Sequence, residues 1–186
     1  GRNLDSLYNG SYGFLMESCN VFTLDACEAN ANGLGGIYIA KGSDGFSSGM
    51  NITNCTLQFN NGDGIHLQDN STPVHITNSW FEGNNGHCVY ANAPAVVQNN
   101  LIAGGGYVFD IATDSYTTTP LTGKYAIYVT NDGRGVFTNN QLPTSAGFDG
   151  AHVYFDNTGL SDDWDRLGVY IEPNFTGLTN APTTLV

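Results

Sequence analysis

Two groups of side chains in this sequence have types and spacings that could do chemistry, and the first is a set of carboxylates. Hydrolysis of a glycosidic bond uses two carboxyl groups, about 5 Å apart in retaining enzymes and about 6.5 to 9.5 Å apart in inverting ones. The candidates for such a pair are Asp63, Asp69, Glu82, Asp110, Asp114 and Asp132. Asp110 and Asp132 each follow a short apolar segment within three residues. We predict these two as the catalytic pair if the protein is an enzyme, and as turn residues bonded to their own backbone if it is not.

The second group is a set of aromatic side chains that alternate with apolar ones. Because successive side chains of a strand point to opposite sides, Tyr38 faces outward if Ile37 and Ile39 face the core. The same alternation predicts one outward column composed of Tyr38, His66, Val108, Tyr128, Tyr154 and Tyr170. A tyrosine ring offers a flat apolar face and a hydroxyl, which suit the C–H face and the hydroxyls of a sugar. We therefore predict glycan binding by Tyr38, His66, Tyr128, Tyr154 and Tyr170, with a subunit interface as the alternative use of the column.

The remaining reactive residue types indicate neither a metal site nor a cofactor. The histidines are scattered along the chain, at His66, His75, His87 and His152. The acidic segment 161–165 lacks the ligand spacing and central glycine of an EF-hand loop, so we interpret it as a solvated turn. The cysteines form no Cys-x-x-Cys pair, and we predict buried free thiols at Cys19, Cys27, Cys55 and Cys88.

Length and charge restrict the classes of function. The chain has 186 residues, enough for one domain, and only 12% of them are charged. Acidic residues outnumber Lys and Arg 17 to 5, which gives a net charge of -12 and a pI near 4.2. A protein that neutralises phosphates needs the opposite balance, so we expect no nucleic-acid partner and no binding to an anionic membrane surface. No apolar run approaches the roughly 18 residues of a membrane span, so we also expect no membrane insertion.

A repeat of about 20 to 25 residues runs through the chain. A small residue followed by an apolar-x-apolar triplet recurs clearly at 36–39, 64–67, 126–129, 152–155 and 168–171, and more weakly at 13–16, 86–89 and 106–109. A second alternating phrase lies between these copies and ends in Asn, at Asn54, Asn78, Asn99 and Asn139. Short strands cannot bury an apolar face alone, whereas stacking of successive turns covers it. We predict an all-β parallel β-helix whose corner Asn residues adopt left-handed backbone geometry and bond through their amides to the next coil.

The segment Asn60-Asn61-Gly62-Asp63-Gly64-Ile65-His66-Leu67 carries a resemblance to a known family. It is similar to phrases of the right-handed parallel β-helix found in the pectate-lyase-like superfamily and in phage tailspikes. The resemblance implies a single-stranded right-handed solenoid of about seven coils, with coils over residues 1–142 and the last coils and a closing segment over residues 143–186. The catalytic elements of polygalacturonases are absent from this sequence. The resemblance to pectate lyases implies a basic residue beside calcium-binding Asp residues, for which Arg134, next to Asp132, is the only plausible candidate, and such a pair is more often a surface ion pair. Neither family therefore supplies catalytic residues for this chain.

Two polar segments interrupt the repeat. Residues 114–124 are too polar for a core strand, and we predict a loop that projects from one corner, where binding sites on rigid scaffolds usually lie. Residues 42–49 are a second, shorter candidate loop. Residues 1–6 contain no amphipathic helix that could cover an open coil, so we expect the chain to begin within a longer protein.

Together these patterns favour a viral attachment module, a β-helical segment of a phage tailspike or tail fibre that contacts cell-surface polysaccharide as a homotrimer. We expect it on the virion or otherwise outside the cell. The first alternative is an extracellular polysaccharide-degrading enzyme of the same fold, a glycoside hydrolase rather than a lyase. The second is a purely structural repeat of a fibre or surface layer. A tyrosine column buried between three chains favours attachment or structure, whereas a groove with two carboxylates and an aromatic wall favours the enzyme.

Overall fold

Short strands separated by tight corners make up the chain. The structure, a computed structural model, describes residues 1–103, 107–130, 133–142, 153–156, 169–171 and 175–176. Within these residues the strands are β1 (Asp5–Leu7), β2 (Tyr12–Glu17), β3 (Asn20–Asp25), β4 (Glu28–Asn30), β5 (Gly35–Ala40), β6 (Ser48–Thr53), β7 (Thr56–Gln58), β8 (Ile65–Gln68), β9 (Val74–Thr77), β10 (Trp80–Glu82), β11 (Val89–Asn92), β12 (Ala95–Gln98), β13 (Leu101–Ala103), β14 (Tyr107–Asp110), β15 (Ser115–Pro120), β16 (Ile127–Val129), β17 (Gly135–Thr138), β18 (Gln141–Leu142), β19 (Val153–Phe155), β20 (Val169–Ile171) and β21 (Phe175–Thr176). The described residues contain no helix long and apolar enough to cross a membrane.

The strands stack into three parallel sheets. The first sheet contains β1, β4, β7, β10, β13, β18 and β21, the second contains β2, β5, β8, β11, β16 and β19, and the third contains β3, β6, β9, β12, β17 and β20. Each turn contributes one strand to each sheet, so the chain completes about six turns and β21 opens the next one. The predicted all-β parallel β-helix is confirmed, with nearly the predicted number of coils.

Each turn has three strands, whereas the repeat suggested two. The strands of the first sheet are three residues long in β4, β7, β10 and β13, and each of these buries only its central side chain. A segment with one inward residue shows no alternation in the sequence, which is why this sheet was not predicted.

The core is a set of apolar columns inside the three sheets. Ile37, Ile65 and Val89 are in register in the second sheet, and each is at most 1% exposed. Leu57, Phe81 and Ile102 form the corresponding column of the first sheet. Because neighbouring strands lie about 4.8 Å apart, each coil covers the apolar residues of the next, and burial of each large side chain contributes about 1.5 to 3 kcal/mol.

At the corners between the third and first sheets, the left-handed backbone and the amide ladder involve different residues, although we predicted both for the same Asn residues. The predicted corner residues, Asn54, Asn78, Asn99 and Asn139, have φ values of 55°, 52°, 57° and 56° and are exposed to solvent. The amide ladder is formed by the following residue, since Asn100 Nδ2 donates to Asn140 Oδ1 at 2.9 Å inside the solenoid. The left-handed geometry is confirmed and the position of the ladder was wrong by one residue, because the left-handed corner turns the next side chain inward.

A second amide ladder lies at the corner between the first and second sheets. Asn9, Asn32, Asn60 and Asn84 are linked in that order by side-chain bonds of 2.9, 3.0 and 2.8 Å. Asn60 and Asn84 are buried, and their amides also donate to the backbone oxygens of Ala29 and Leu57. Buried amides with several partners hold successive coils in one register.

A β-hairpin projects from the solenoid where a coil strand and a loop were predicted. The 106–109 phrase is not part of a coil, because β14 pairs with β15 in antiparallel fashion outside the three parallel sheets. Phe109 is 6% exposed and stacks on Phe59 at 4.2 Å, so this residue of the hairpin is buried against the outer surface of the solenoid. Residues 114–124 lie outside the core as predicted, yet they include the strand β15.

The four cysteines are free thiols, and Cys27, Cys55 and Cys88 are buried as predicted, whereas Cys19 is only partly buried. Burial raises the pKa of Cys55 to about 11 and that of Cys88 to about 12. Both thiols are therefore protonated at neutral pH and pack as small apolar groups.

Candidate functional site

The outer face of the second sheet carries a continuous row of aromatic rings, which we call the aromatic column. Strand register places Tyr38 opposite His66, His66 opposite Tyr90, Tyr90 opposite Tyr128, and Tyr128 opposite Tyr154. Tyr12 extends the column at its first end, where its ring stacks on that of Tyr38. The column therefore consists of Tyr12, Tyr38, His66, Tyr90, Tyr128 and Tyr154, and four of these were predicted from alternation.

The rings of the column stack on each other along the solenoid axis. Centroid separations between successive rings are 4.8, 5.1, 4.2, 5.4 and 5.5 Å, and the interplanar angles are between 12° and 33°. Each ring consequently covers much of its neighbours' faces, as in other offset-stacked aromatic pairs. The column presents mainly ring edges and hydroxyl groups to solvent, which differs from the flat faces we expected each Tyr to offer a sugar.

Two residues of the predicted column lie elsewhere. Val108 belongs to β14 of the hairpin. The backbone of Tyr170 pairs with Val136 in the third sheet, so Tyr170 is not in register with Tyr154. The sequence indicates this difference, because the 168–171 phrase follows the 152–155 phrase by only 16 residues, which is too short for a complete turn of the solenoid.

Tyr90 is a column residue that the repeat pattern did not predict. The repeat was assigned to Gly86–Val89, where His87 and Cys88 obscured the pattern, whereas the strand is β11 with Val89 and Ala91 inward. Tyr90 follows His66 by 24 residues, which matches the repeat length and could have identified it.

A second, shorter row of rings flanks the column at His87 and Tyr125. The two rings lie 5.8 Å apart with an interplanar angle of 5°, His87 stacks on Tyr128 at 4.6 Å, and Tyr125 stacks on Tyr154 at 4.4 Å. Burial lowers the pKa of His87 to about 4. The imidazole is therefore neutral at pH 7, which allows its Nδ1 to accept the 3.1 Å hydrogen bond from the backbone N–H of Tyr125.

Polar groups border the column on both sides. Asp63 Oδ2 lies 2.8 Å from His66 Nδ1, and Asp63 Oδ1 accepts a 2.7 Å bond from the backbone N–H of His87. The hydroxyl of Tyr38 donates to Gln68 Oε1 at 3.3 Å, and that of Tyr128 donates to Asp156 Oδ2 at 2.6 Å. These groups fix the rings at their edges and leave a row of donors and acceptors along the solenoid.

Three tyrosine hydroxyls of the column, those of Tyr12, Tyr90 and Tyr128, remain protonated at neutral pH. Burial raises the pKa of Tyr12, Tyr90 and Tyr128, and the neighbouring Asp63 or Asp156 carboxylates add to each increase. Neutral phenols are hydrogen-bonding groups rather than nucleophiles. The chemistry available to the column is recognition by hydrogen bonds and apolar contact.

The predicted catalytic pair is only partly covered by the described residues. Asp132 lies outside them, so the pair remains a prediction. Asp110 accepts hydrogen bonds of 2.9 Å from the backbone N–H of Ala112 and from Thr113 Oγ1, at the turn of the hairpin. These bonds lower the pKa of the Asp110 carboxyl. A carboxylate held in its ionised form by its own turn has the surroundings of a structural residue and not those of a proton donor.

No group of three or more His, Cys, Asp and Glu side chains suited to a metal ion occurs in the described part of the chain. The acidic segment 161–165 and His152 lie outside that part. The described residues therefore identify no metal ligands.

Comparison with known protein families gives a match over half of the chain. The family described as a right handed beta helix region matches residues 5–102 of this chain. Those residues include β1 to β12 and the column from Tyr12 to Tyr90. No curated protein sequence and no solved structure gives a significant match.

Proposed function

The chain belongs to the right-handed β-helix family, and from this premise we propose that it is a polysaccharide-binding attachment module. A glycan chain lies along the aromatic column, parallel to the axis of the solenoid. The observation that supports this function is the continuity of the column, in which six half-buried rings follow one another through consecutive coils at 4.2 to 5.5 Å. Such a row repeats one contact along an extended ligand, so weak contacts add up.

Contact with the glycan is made chiefly through ring edges and hydroxyl groups. A phenol hydroxyl both donates and accepts, and the Gln68 amide and the Asp156 carboxylate beside the column supply further partners for sugar hydroxyls. Asp63 and Asp156 border the rings, and the chain carries a net charge of -12. Both features disfavour anionic glycans, so the preferred ligand is an uncharged polysaccharide.

We place the module in a phage tailspike or tail fibre, where it serves as a shaft or receptor-binding segment of a homotrimer on the virion. The support for this setting is the low charge and the rigid, Asn-rich solenoid with a binding face along its length. Light scattering on the purified chain checks the assembly. A mass of three chains agrees with this setting, and a monomer at all concentrations contradicts the trimer while leaving the glycan contact open to its own test.

The binding test uses variants that keep the rings and remove hydroxyls. Affinity electrophoresis in gels that contain uncharged polysaccharides such as dextran, mannan, xylan and galactan is compared with gels that contain polygalacturonate. We expect retention by at least one uncharged polymer and none by polygalacturonate. The double variant Tyr90→Phe/Tyr154→Phe preserves the stack and is expected to bind about tenfold more weakly, because two hydrogen bonds are lost.

The matched control is Tyr107→Phe, which removes a hydroxyl from an exposed tyrosine on the hairpin, away from the column. Its affinity should equal that of the unmodified chain. Equal affinity of the double variant and the unmodified chain would contradict the role of the column, and absence of retention by every uncharged polymer would contradict the proposed function.

A further inference from the structure

A groove of about 410 Å³ runs along the corner between the third and first sheets, on a different side of the solenoid from the aromatic column. One wall is formed by the exposed corner residues Asn54, Asn78 and Asn99. The other wall is the outward row Thr56, Trp80 and Leu101, which strand register aligns across β7, β10 and β13. The groove is therefore built from one residue pair per coil, repeated over three coils.

Trp80 differs from the rings of the column because its indole stacks on no other ring of the described residues. The residue is 44% exposed and lies between Thr56 and Leu101, neither of which carries an aromatic ring that could stack on the indole. An open indole face is the apolar surface on which the C–H face of a sugar ring can lie. The column does not offer this contact, since its rings cover each other.

The corner amides supply polar groups opposite the indole. Asn54 Nδ2 donates to Asp25 Oδ1 at 2.9 Å, whereas the side chains of Asn78 and Asn99 make no hydrogen bond with the described residues. Each of these two amides presents a donor and an acceptor, the combination that pairs with sugar hydroxyls. Both residues have a left-handed backbone, with φ of 52° and 57°, and both are exposed at the rim of the groove.

The residues that line the groove are uncharged in a strongly acidic protein, and the one carboxylate bonded to the lining, that of Asp25, is paired with Arg2 at 3.1 Å. Its lining contains amides, hydroxyls, apolar groups and the Cys55 thiol, and no carboxylate, amine or guanidinium. The chain as a whole carries a net charge of -12. A neutral site with amides on one wall and an indole on the other matches a ligand that is uncharged, rich in hydroxyls and apolar on one face.

We propose that this groove, which we call the Trp80 groove, binds a linear uncharged glycan parallel to the solenoid axis, with a sugar ring on Trp80 and hydroxyls on Asn78 and Asn99. The site is separate from the aromatic column, and the inference deepens the proposed function by adding a second glycan contact. Recognition here depends on stacking and amide bonds, whereas recognition at the column depends on phenol hydroxyls.

Fluorescence titration tests the groove directly. The chain has two tryptophans, so Trp164→Phe leaves Trp80 as the sole reporter. Maltohexaose, cellohexaose, xylohexaose and mannohexaose are titrated into this variant, with a galacturonate hexamer as the charged comparison. We expect a saturable change in Trp80 emission with at least one neutral hexasaccharide and none with the charged one.

Binding of the responding hexasaccharide is then measured by calorimetry on variants in the otherwise unmodified chain. Trp80→Ala and the double variant Asn78→Gly/Asn99→Gly should each lower affinity at least about tenfold. Glycine is used because it accepts the left-handed backbone without strain. The matched controls are Asn139→Gly, at the same type of corner outside the groove, and Phe46→Ala, an equally exposed ring elsewhere. Both controls should bind as the unmodified chain does.

The outcomes separate the groove from the column. Absence of any response to the four neutral hexasaccharides at millimolar concentration overturns the groove, as does unchanged affinity of Trp80→Ala. Binding that survives Trp80→Ala and is lost in Tyr90→Phe/Tyr154→Phe overturns the groove and supports the column. Binding that is lost in Trp80→Ala and survives in the double Phe variant supports the groove and overturns the column as the principal contact.

Discussion

The aromatic column and the Trp80 groove use aromatic side chains in opposite ways. In the column, successive rings lie 4.2 to 5.5 Å apart and occupy each other's faces, and the carboxylates of Asp63 and Asp156 lie at their edges. In the groove, one indole is 44% exposed without a ring partner in the described chain, and its polar neighbours are neutral amides. The first arrangement stabilises the solenoid along its length, and the second leaves an exposed indole without a stacking partner among the described residues.

The difference shows that an outward aromatic residue on a β-helix is not by itself a sugar-stacking site. Rings in register on adjacent coils are close enough to stack on one another, so the rings of such a row cover each other's faces and leave none for a sugar. A single ring beside small or aliphatic neighbours keeps its face open. Stability should therefore depend on the column, and binding by stacking should depend on the groove.

The largest expected effect is on stability, from removal of a ring at the centre of the column. Tyr90→Ala deletes contacts with His66 at 4.2 Å and with Tyr128 at 5.4 Å, and should lower the free energy of unfolding by about 2 to 4 kcal/mol. Trp80→Ala, at a solvent-exposed position, should lower it by about 1 kcal/mol or less. Urea unfolding measures both free energies, provided that the m-value, the slope of the unfolding free energy against urea concentration, is the same in the variants and the unmodified chain. Equal losses for the two variants would remove the distinction between the two regions.

The second effect is a pH dependence of stability that arises beside the column. The pKa of His87 is about 4 in the folded chain because of burial, compared with about 6.5 when unfolded. Between these values the unfolded state binds the additional proton, so stability should fall as the pH falls from 6.5 to 4, by up to about 3 kcal/mol. Urea unfolding of the unmodified chain and of His87→Gln across this range isolates the contribution.

In His87→Gln the pH-dependent contribution of the imidazole should be missing. The free energies of unfolding of this variant and of the unmodified chain should therefore converge as the pH falls toward 4. His75→Gln, on the exposed side of the third sheet, is the matched control and should retain the pH dependence of the unmodified chain. Parallel curves for the unmodified chain and His87→Gln would show that the ring beside the column is not buried in its neutral form.

The smallest effect is expected at Asp110, which lies in neither region. Asp110→Asn loses the ionised carboxylate that accepts bonds from Ala112 and Thr113, so only the hairpin turn should loosen while the unfolding midpoint of the chain stays unchanged. A reducing-end assay on the polysaccharides that the protein binds should detect no product from either form. Product formation that Asp110→Asn abolishes would restore Asp110 as a catalytic residue.

The parts of the site that alternation controls could be predicted from the sequence. Two inward residues, Ile37 and Ile39, flank Tyr38 and make the period of the strand visible, and inward residues flank His66 and Tyr128 in the same way. Trp80 was not singled out because β10 has one inward residue, Phe81, and therefore no visible period. Whether rings stack on each other depends on which residues the coils bring into register, and loops of variable length conceal that register in a single sequence.

The hairpin shows a second limit of prediction from sequence. Tyr107–Asp110 has the alternation of a coil strand, but its buried residue, Phe109, packs against Phe59 on the outside of the solenoid. Gly83, with φ of 63°, makes room for this packing because a Cβ atom there would lie 2.5 Å from the Phe59 ring. A local pattern states that a side chain is buried and does not state which surface buries it.

Hydroxyl-radical footprinting with mass spectrometry is the most direct test of the claim that the chain binds an uncharged polysaccharide along the column. Oxidation rates of Tyr38, Tyr90, Tyr128 and Tyr154 are measured in the free chain and with the polymer that retains it in gels. We predict that these tyrosines react in the free chain and are protected when the polymer is added, while Tyr107 is unaffected. Unchanged rates with bound polymer, or column tyrosines already protected in the free chain, would contradict binding of the polysaccharide along the column.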